Sequence, residues 1–218
     1  MTREQRGRIA RLAVDNAGSI PVMVCVGAVS TEQVLRLADD AQALGASALL
    51  LPPVSYQALH DDKVYGLFET VARHVSVPLC VYDNPGTTHF NFSDELHGKI
   101  TALPSIHSVK IPGVSSDEEV AAARIRNLRG MLPPDVTIGI SGGSFAATGM
   151  TAGCEVWYSV FSGLFPVEAK KSQKRRRRAT TQQGNHGLDE TDKCLRYAFN
   201  DAWTNSPCTS ITLSKVLP

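Results

Sequence analysis

At 218 residues, 43% hydrophobic and 20% charged, the chain has the composition of a soluble globular protein with material for a sizeable core. No stretch approaches about 18 uninterrupted apolar residues, and the charged start from Met1 to Arg8 lacks the apolar run of a secretory signal, which fits a cytoplasmic protein without a membrane partner. The net charge of +1 conceals a division: residues 1–166 carry 12 Lys or Arg against 16 Asp or Glu, whereas 167–218 carry 10 against 5, so only the tail offers an electrostatic reason to bind nucleic acid.

Residues 2–15 read as one helix with Ile9, Leu12 and Ala13 as its apolar face. From Pro21 to Val160 one unit then repeats, a short apolar run followed by a turn and an amphipathic segment. The runs are Pro21–Val26, Ser47–Leu51, Pro78–Tyr82, Ser105–Lys110, Val136–Ser141 and Cys154–Val160. Continuous Val, Ile and Leu without alternation suits strands covered on both faces, and hence a parallel sheet wrapped by helices. The helical segments are Thr31–Leu44, Asp61–His74, Ser93–Leu103, Ser116–Leu128 and Phe145–Thr151, with Thr31 and Ser116 in capping positions and Gly45 placed to end the first.

Six βα units permit a doubly wound sheet or a (β/α)8 barrel lacking two strands. The turn Val26–Ser30 after the first run has no Gly-x-Gly-x-x-Gly pattern, which weakens the nucleotide-binding alternative. Nothing before Pro21 supplies two further strands. The fold class expected is therefore α/β, an incomplete (β/α)8 TIM barrel of six units, spanning residues 1–168. A second region, 169–218, opens with the basic block Lys170–Arg178, which resists burial and reads as a disordered or irregular tail; a weak helix is expected over 189–203.

Two strand ends carry candidate chemistry. Lys110 closes the fourth run and Tyr82 the third, each followed by a turn containing Pro and Gly, and barrel enzymes keep their reactive groups at the carboxyl ends of the strands. If the two strands are parallel neighbours, a phenol and an amine share one pocket. An amine withdrawn from water there is a nucleophile toward a ketone or aldehyde, and the phenol can move protons. Read blandly, the lysine reaches water at a strand end and the tyrosine is ordinary core. Cys25, Cys80, Cys154, Cys194 and Cys208 form no Cys-x-x-Cys pair, and the six histidines form no metal-binding helix, so neither zinc nor a disulfide framework is indicated. Gly142-Gly143-Ser144 lacks the Lys-Ser/Thr ending of a P-loop, and Ser141 and Ser144 stand outside a Gly-x-Ser-x-Gly elbow. Trp157 and Tyr158 read as core or barrel wall.

Tyr82-Asp-Asn-Pro-Gly-Thr-Thr88, followed by Ser108-Val-Lys110, resembles the dihydrodipicolinate synthase and N-acetylneuraminate lyase family of pyruvate-dependent class I aldolases on a (β/α)8 barrel. Pro21–Gly27, Gly45–Pro52, Ile140–Gly143 and Gly153–Ser159 resemble that family's third, fourth, seventh and eighth strands, and the likeness covers about residues 2–168. The resemblance implies that Lys110 forms a Schiff base with pyruvate or a related 2-oxo acid and that Tyr82 relays protons. It further implies that Asn84, Thr87 and Thr88 shape the pocket, that Ser141, Gly142 and Gly143 border the substrate, and that no cofactor is required. The implied partners are a small 2-oxo acid, an aldehyde and further copies of the chain, with Tyr56 as a candidate for the family's aromatic contact between subunits.

The chain departs from the family pattern at several points. The Gly-Thr-Thr-Gly-Glu turn that supplies carboxylate donors in relatives is missing, and Thr87 stands where synthases acting on aspartate semialdehyde place an arginine, which argues against that substrate. A truncated or frame-shifted product is the corresponding expectation, with two open sheet edges, an uncovered apolar interior and low solubility. The functional alternatives are a catalytically inactive family remnant and an anionic-surface or nucleic-acid binder acting through the basic block.

Overall fold

The computed structural model describes residues 1–159, 162, 163, 165 and 167, together with the backbone of 211–212. The basic block and the helix expected over 189–203 lie outside the described residues.

Six parallel strands form a curled half-barrel: β1 Met23–Cys25, β2 Ala48–Leu51, β3 Leu79–Tyr82, β4 Ile106–Ile111, β5 Thr137–Ser141 and β6 Val156–Tyr158. They lie side by side in chain order, as right-handed βα repeats dictate. The helices are α1 Arg3–Ala17, α2 Thr31–Ala43, α3 Asp61–His74, α4 Pro85–Thr88, α5 Asp94–Thr101, α6 Glu118–Arg129 and α7 Ala146–Thr151. A two-residue strand, β7 Ile211–Thr212, pairs antiparallel with β1 at Val24 and Met23.

The expected partial barrel is thus the observed architecture, with corrections in detail. On α1 the buried residues are Ala10, Ala13 and Ala17, while Ile9 and Leu12 are 39% and 61% exposed: the small side chains face α2 and the core, and the larger ones point out. The caps sit one residue from where the sequence suggested. The Ser30 hydroxyl accepts from the Gln33 amide, and the Asp117 carboxylate accepts from the Glu119 and Val120 amides. The Pro85–Thr88 turn is helical, nucleated by proline at its first position. The expectation of two open edges and an uncovered interior is met only in part: among the described residues β6 has no strand beyond it, but the β1 edge and the interior beside it are not bare. The β1 edge is occupied by β7, and the inward-facing Met23, Cys25, Ala48 and Leu50 are all buried.

Alternation along each strand divides the sheet into two faces. Val24, Leu49, Leu51, Val81, Val109, Ile138 and Ile140 pack outward against the helices in the main core. Met23, Cys25, Ala48, Leu50, Cys80, Val156 and Tyr158 form a separate inner cluster with Tyr82 against it. A register shift between Leu79 and Cys80 decides which β4 residues join that inner face. Leu79 pairs with Ile106, but Cys80 pairs with Ser108 rather than His107, so Tyr82 meets Lys110. Without the extra residue, every later β4 side chain would exchange faces. At the β1 edge of the sheet Arg6 of α1 donates to the carbonyls of Cys25 and Gly27, tying the helix to the carboxyl end of β1.

Candidate active site

Lys110 is 2% exposed although it is a lysine, because β4 is central in the sheet and its inner face is covered. Its Nζ lies over the ring of Tyr82, 4.5 Å from the centroid, and 5.6 Å from the centroid of Tyr158. Both distances are within cation–π reach of about 6 Å. Strand pairing carries this juxtaposition: Tyr82 and Lys110 are register partners on adjacent parallel strands, and the Asp83 amide donates to the Lys110 carbonyl at 2.9 Å.

The turn after β3 orients the phenol. The Asn84 side-chain amide donates to the Tyr82 hydroxyl at 3.0 Å. The Asn84 carbonyl accepts from the amides of Thr87 and Thr88 and from the Thr88 hydroxyl at 3.0 Å. Thr88 is buried and braces the turn from within, while Thr87 is half-buried with no hydroxyl bond of this kind. After β5, Ser141 is buried, and its hydroxyl has no hydrogen-bond partner. Gly142 turns away with φ of 84°, the left-handed region that favours glycine, and a Cβ there would come 3.0 Å from the Phe145 ring. Gly143 is exposed and open. Tyr56, on the loop beyond β2, is 98% exposed and takes no part in the pocket.

Beneath the amine lies a polar line that the sequence reading did not assemble. The Tyr158 hydroxyl is 2.9 Å from the Ser108 hydroxyl and 3.2 Å from the Cys80 sulfur. The Thr137 hydroxyl donates to Ser108 at 2.8 Å. Burial raises the Tyr158 phenol well above its ordinary value and pushes the Cys80 thiol up to about 11, against the opposing pull of its bonds to Tyr158 and Ser108. Both therefore keep their protons near neutrality. Gly139 makes room for the ring: a Cβ there would stand 2.1 Å from Tyr158 Cε2. The available signal was the alternation of Val156 and Tyr158 on a strand, which places the phenol inside but does not name its neighbours.

On the outer side of the same strand end, Asp83 and His97 are buried together, with His97 Nε2 3.4 Å from an Asp83 oxygen and the imidazole stacked on Phe92. Neither ring nitrogen makes a hydrogen bond, so this is contact rather than a formed bond. Burial pushes the Asp83 carboxyl up to about 7, opposed by Arg124, and pushes His97 down to about 4, with Arg124 adding to the shift. Near pH 6 the two meet as neutral groups. Among the described residues no group of three His, Cys, Asp or Glu converges in a way that could hold a metal ion, and no helix is long and apolar enough to cross a membrane.

Residues 1–183 match the family described as the dihydrodipicolinate synthetase family, so the likeness runs past residue 168 into the basic block. A mitochondrial protein of Coccidioides immitis named for 4-hydroxy-2-oxoglutarate aldolase is 26% identical over 96% of the chain and 64% of its own length. A 4-hydroxy-tetrahydrodipicolinate synthase of Azoarcus is 33% identical over 49% of the chain and 37% of its own length. Among solved structures, dihydrodipicolinate synthase from Agrobacterium tumefaciens superposes with a TM-score of 0.75 at 37% identity, covering 84% of this chain and 62% of that one. The chain thus spans less than two thirds of the length of these relatives.

Proposed function

Because this chain belongs to the dihydrodipicolinate synthetase family, we propose that it is a Schiff-base-forming lyase of the aldolase type, acting on pyruvate or a related 2-oxo acid. The observation that carries the reading is the buried amine of Lys110 set against the phenol of Tyr82 on adjacent strand ends. In this reading Lys110 Nζ attacks the keto carbon, and a proton delivered by Tyr82 turns the oxygen into a hydroxyl. A second proton lets it leave as water, giving the imine. The imine withdraws electrons from the neighbouring carbon. A 4-hydroxy-2-oxo acid so bound can break its C3–C4 bond as its C4 hydroxyl returns a proton to the Tyr82 oxygen, releasing an aldehyde and leaving an enamine. Protonation of the enamine and hydrolysis return pyruvate and the free lysine, and the reverse sequence joins the two fragments.

Asn84 holds the Tyr82 hydroxyl, and Thr88 keeps the turn that carries Asn84 in shape. The unpartnered Ser141 hydroxyl and the open backbone at Gly142 and Gly143 are the groups proposed to border the substrate carboxylate, with Thr87 at the pocket mouth. The aldolase reading is preferred over a synthase acting on aspartate semialdehyde because Thr87 offers no positive charge for a second carboxylate. It agrees with the name of the Coccidioides relative, which aligns along 96% of this chain. Assembly through the solvent-exposed Tyr56 belongs to the same proposal.

Incubation with pyruvate and borohydride, followed by peptide mapping, tests the reading. The expected result is a reduced pyruvate adduct on Lys110 that disappears completely in Lys110→Arg. An unmodified Lys110 in the folded protein would leave a family member without turnover.

A further inference from the structure

We propose that Tyr158 is a positioning residue for the Lys110 amine, an aromatic wall on the inner side of the site that fixes the direction in which the amine points. This rests on the Schiff-base reading above. The lysine side chain is flexible, and its freedom must be removed for the nitrogen to meet a carbonyl carbon in line. Tyr82 provides one face but is half-buried at the rim, where it also has protons to move. Tyr158 is 0% exposed and held at both its hydroxyl and its ring.

The hydroxyl is held by Ser108 and Cys80, and Ser108 in turn by Thr137. The ring rests on Gly139, the β5 register partner of Lys110, and fills the volume that any side chain at 139 would occupy. The aromatic face therefore stands beside the amine because position 139 carries no Cβ. The phenol keeps its proton in this buried setting, so it offers the amine a ring face and no charge. Cys80 and Ser108, on two neighbouring strands, hold one buried hydroxyl, Thr137 on a third holds Ser108, and the ring centroid is 5.6 Å from the reacting nitrogen.

The test compares Tyr158→Leu, Tyr158→Phe and Gly139→Ala with the parent chain, each confirmed folded by circular dichroism and melting. At saturating pyruvate the maximal rate of borohydride trapping at Lys110 is expected to fall by about 10- to 100-fold in Tyr158→Leu, the scale of a misaimed reacting group. The pyruvate concentration giving half the maximal rate is expected to stay within about threefold, because the amine's aim rather than substrate binding is lost. Tyr158→Phe, which keeps the ring and loses its anchors, falls between parent and Leu. Gly139→Ala displaces the ring without touching Tyr158 and follows Leu.

In parallel, reductive methylation with formaldehyde and cyanoborohydride is read as the ratio of Lys110 to the exposed Lys63. It is expected to rise in Tyr158→Leu as the wall is removed. A folded Tyr158→Leu that traps pyruvate at the parent rate overturns the proposal. If the parent itself forms no adduct, the Schiff-base reading fails, and the methylation ratio alone decides: a rise upholds the wall, an unchanged ratio removes it. Should Tyr158→Leu fail to fold, Tyr158→Phe is judged by the same criteria.

Discussion

The two faces of the half-barrel are made by the same short strands yet differ in nearly every respect. Outward, Val81, Val109, Ile138 and Ile140 meet helices, and each is 0% exposed. Inward, at alternate positions of those same strands, stand Cys80, Ser108, Lys110 and Thr137, joined by Tyr158 of β6, and these are hydrogen-bonded or in ring contact with one another. Stability resides on the first face, through burial of apolar surface at roughly 25 cal/mol per Å². The proposed chemistry lies on the second, where Cys80, Ser108, Thr137 and Tyr158 satisfy one another while the Ser141 hydroxyl is left unpartnered. One β-strand period of two therefore serves both purposes.

The sharpest way to break this division is at the inner face. Tyr82→Phe removes the proposed proton carrier and keeps its packing. The rate of pyruvate trapping at Lys110 is expected to drop by about 10²- to 10⁴-fold, the range for a general acid–base group, while the melting temperature hardly moves. Single-turnover trapping with a melting scan checks both halves. A reciprocal result is expected at the outer face. Ile138→Ala leaves the trapping chemistry of the folded fraction intact but destabilises the fold by about 2–5 kcal/mol, the cost of an unfilled core cavity, measurable by urea unfolding.

The smallest effect comes from the Asp83–His97 contact, which sits on the outer side and is polar, an exception to the comparison. Asp83 has its pKa raised in the folded state to about 7, so its contribution is full below about 4 and is lost as pH rises toward 7. For His97 the folded value is lowered from 6.5 to about 4, so its contribution grows as pH rises across that interval. The opposing slopes largely cancel between about pH 4 and 6.5. His97→Gln is expected to expose the Asp83 slope, with stability falling as pH rises through that window. Asp83→Asn is expected to expose the opposite one. Unfolding free energies at several pH values read both, and parallel profiles for the two variants would refute the assignment.

Much of this arrangement was legible in the sequence. Uninterrupted apolar runs gave the six strands nearly in place, since a strand buried on both faces has little freedom in composition. Gly45, with φ of 89°, stands just past α2 where the chain turns away from the helix. Lys110 and Tyr82 stood out because a charged and a phenolic group ended otherwise apolar runs. The face of α1 was misjudged because the size of side chain that fits against a neighbour depends on how closely the two approach. The expectation of two bare edges missed β7 at the β1 edge, because its two residues give no periodic signal.

By itself, then, the sequence determined the repeat of strand and helix, the parallel sheet it implies, and the two strand ends where an amine and a phenol emerge. Only tertiary structure decided that the register shift beside Leu79 brings Tyr82 opposite Lys110, that Asp83 meets His97, and that Tyr158 lies over Gly139. The physical reason is that local pattern fixes which face of a strand a residue occupies. Pairing across strands, set by a single inserted residue and by one absent side chain, fixes what that residue touches.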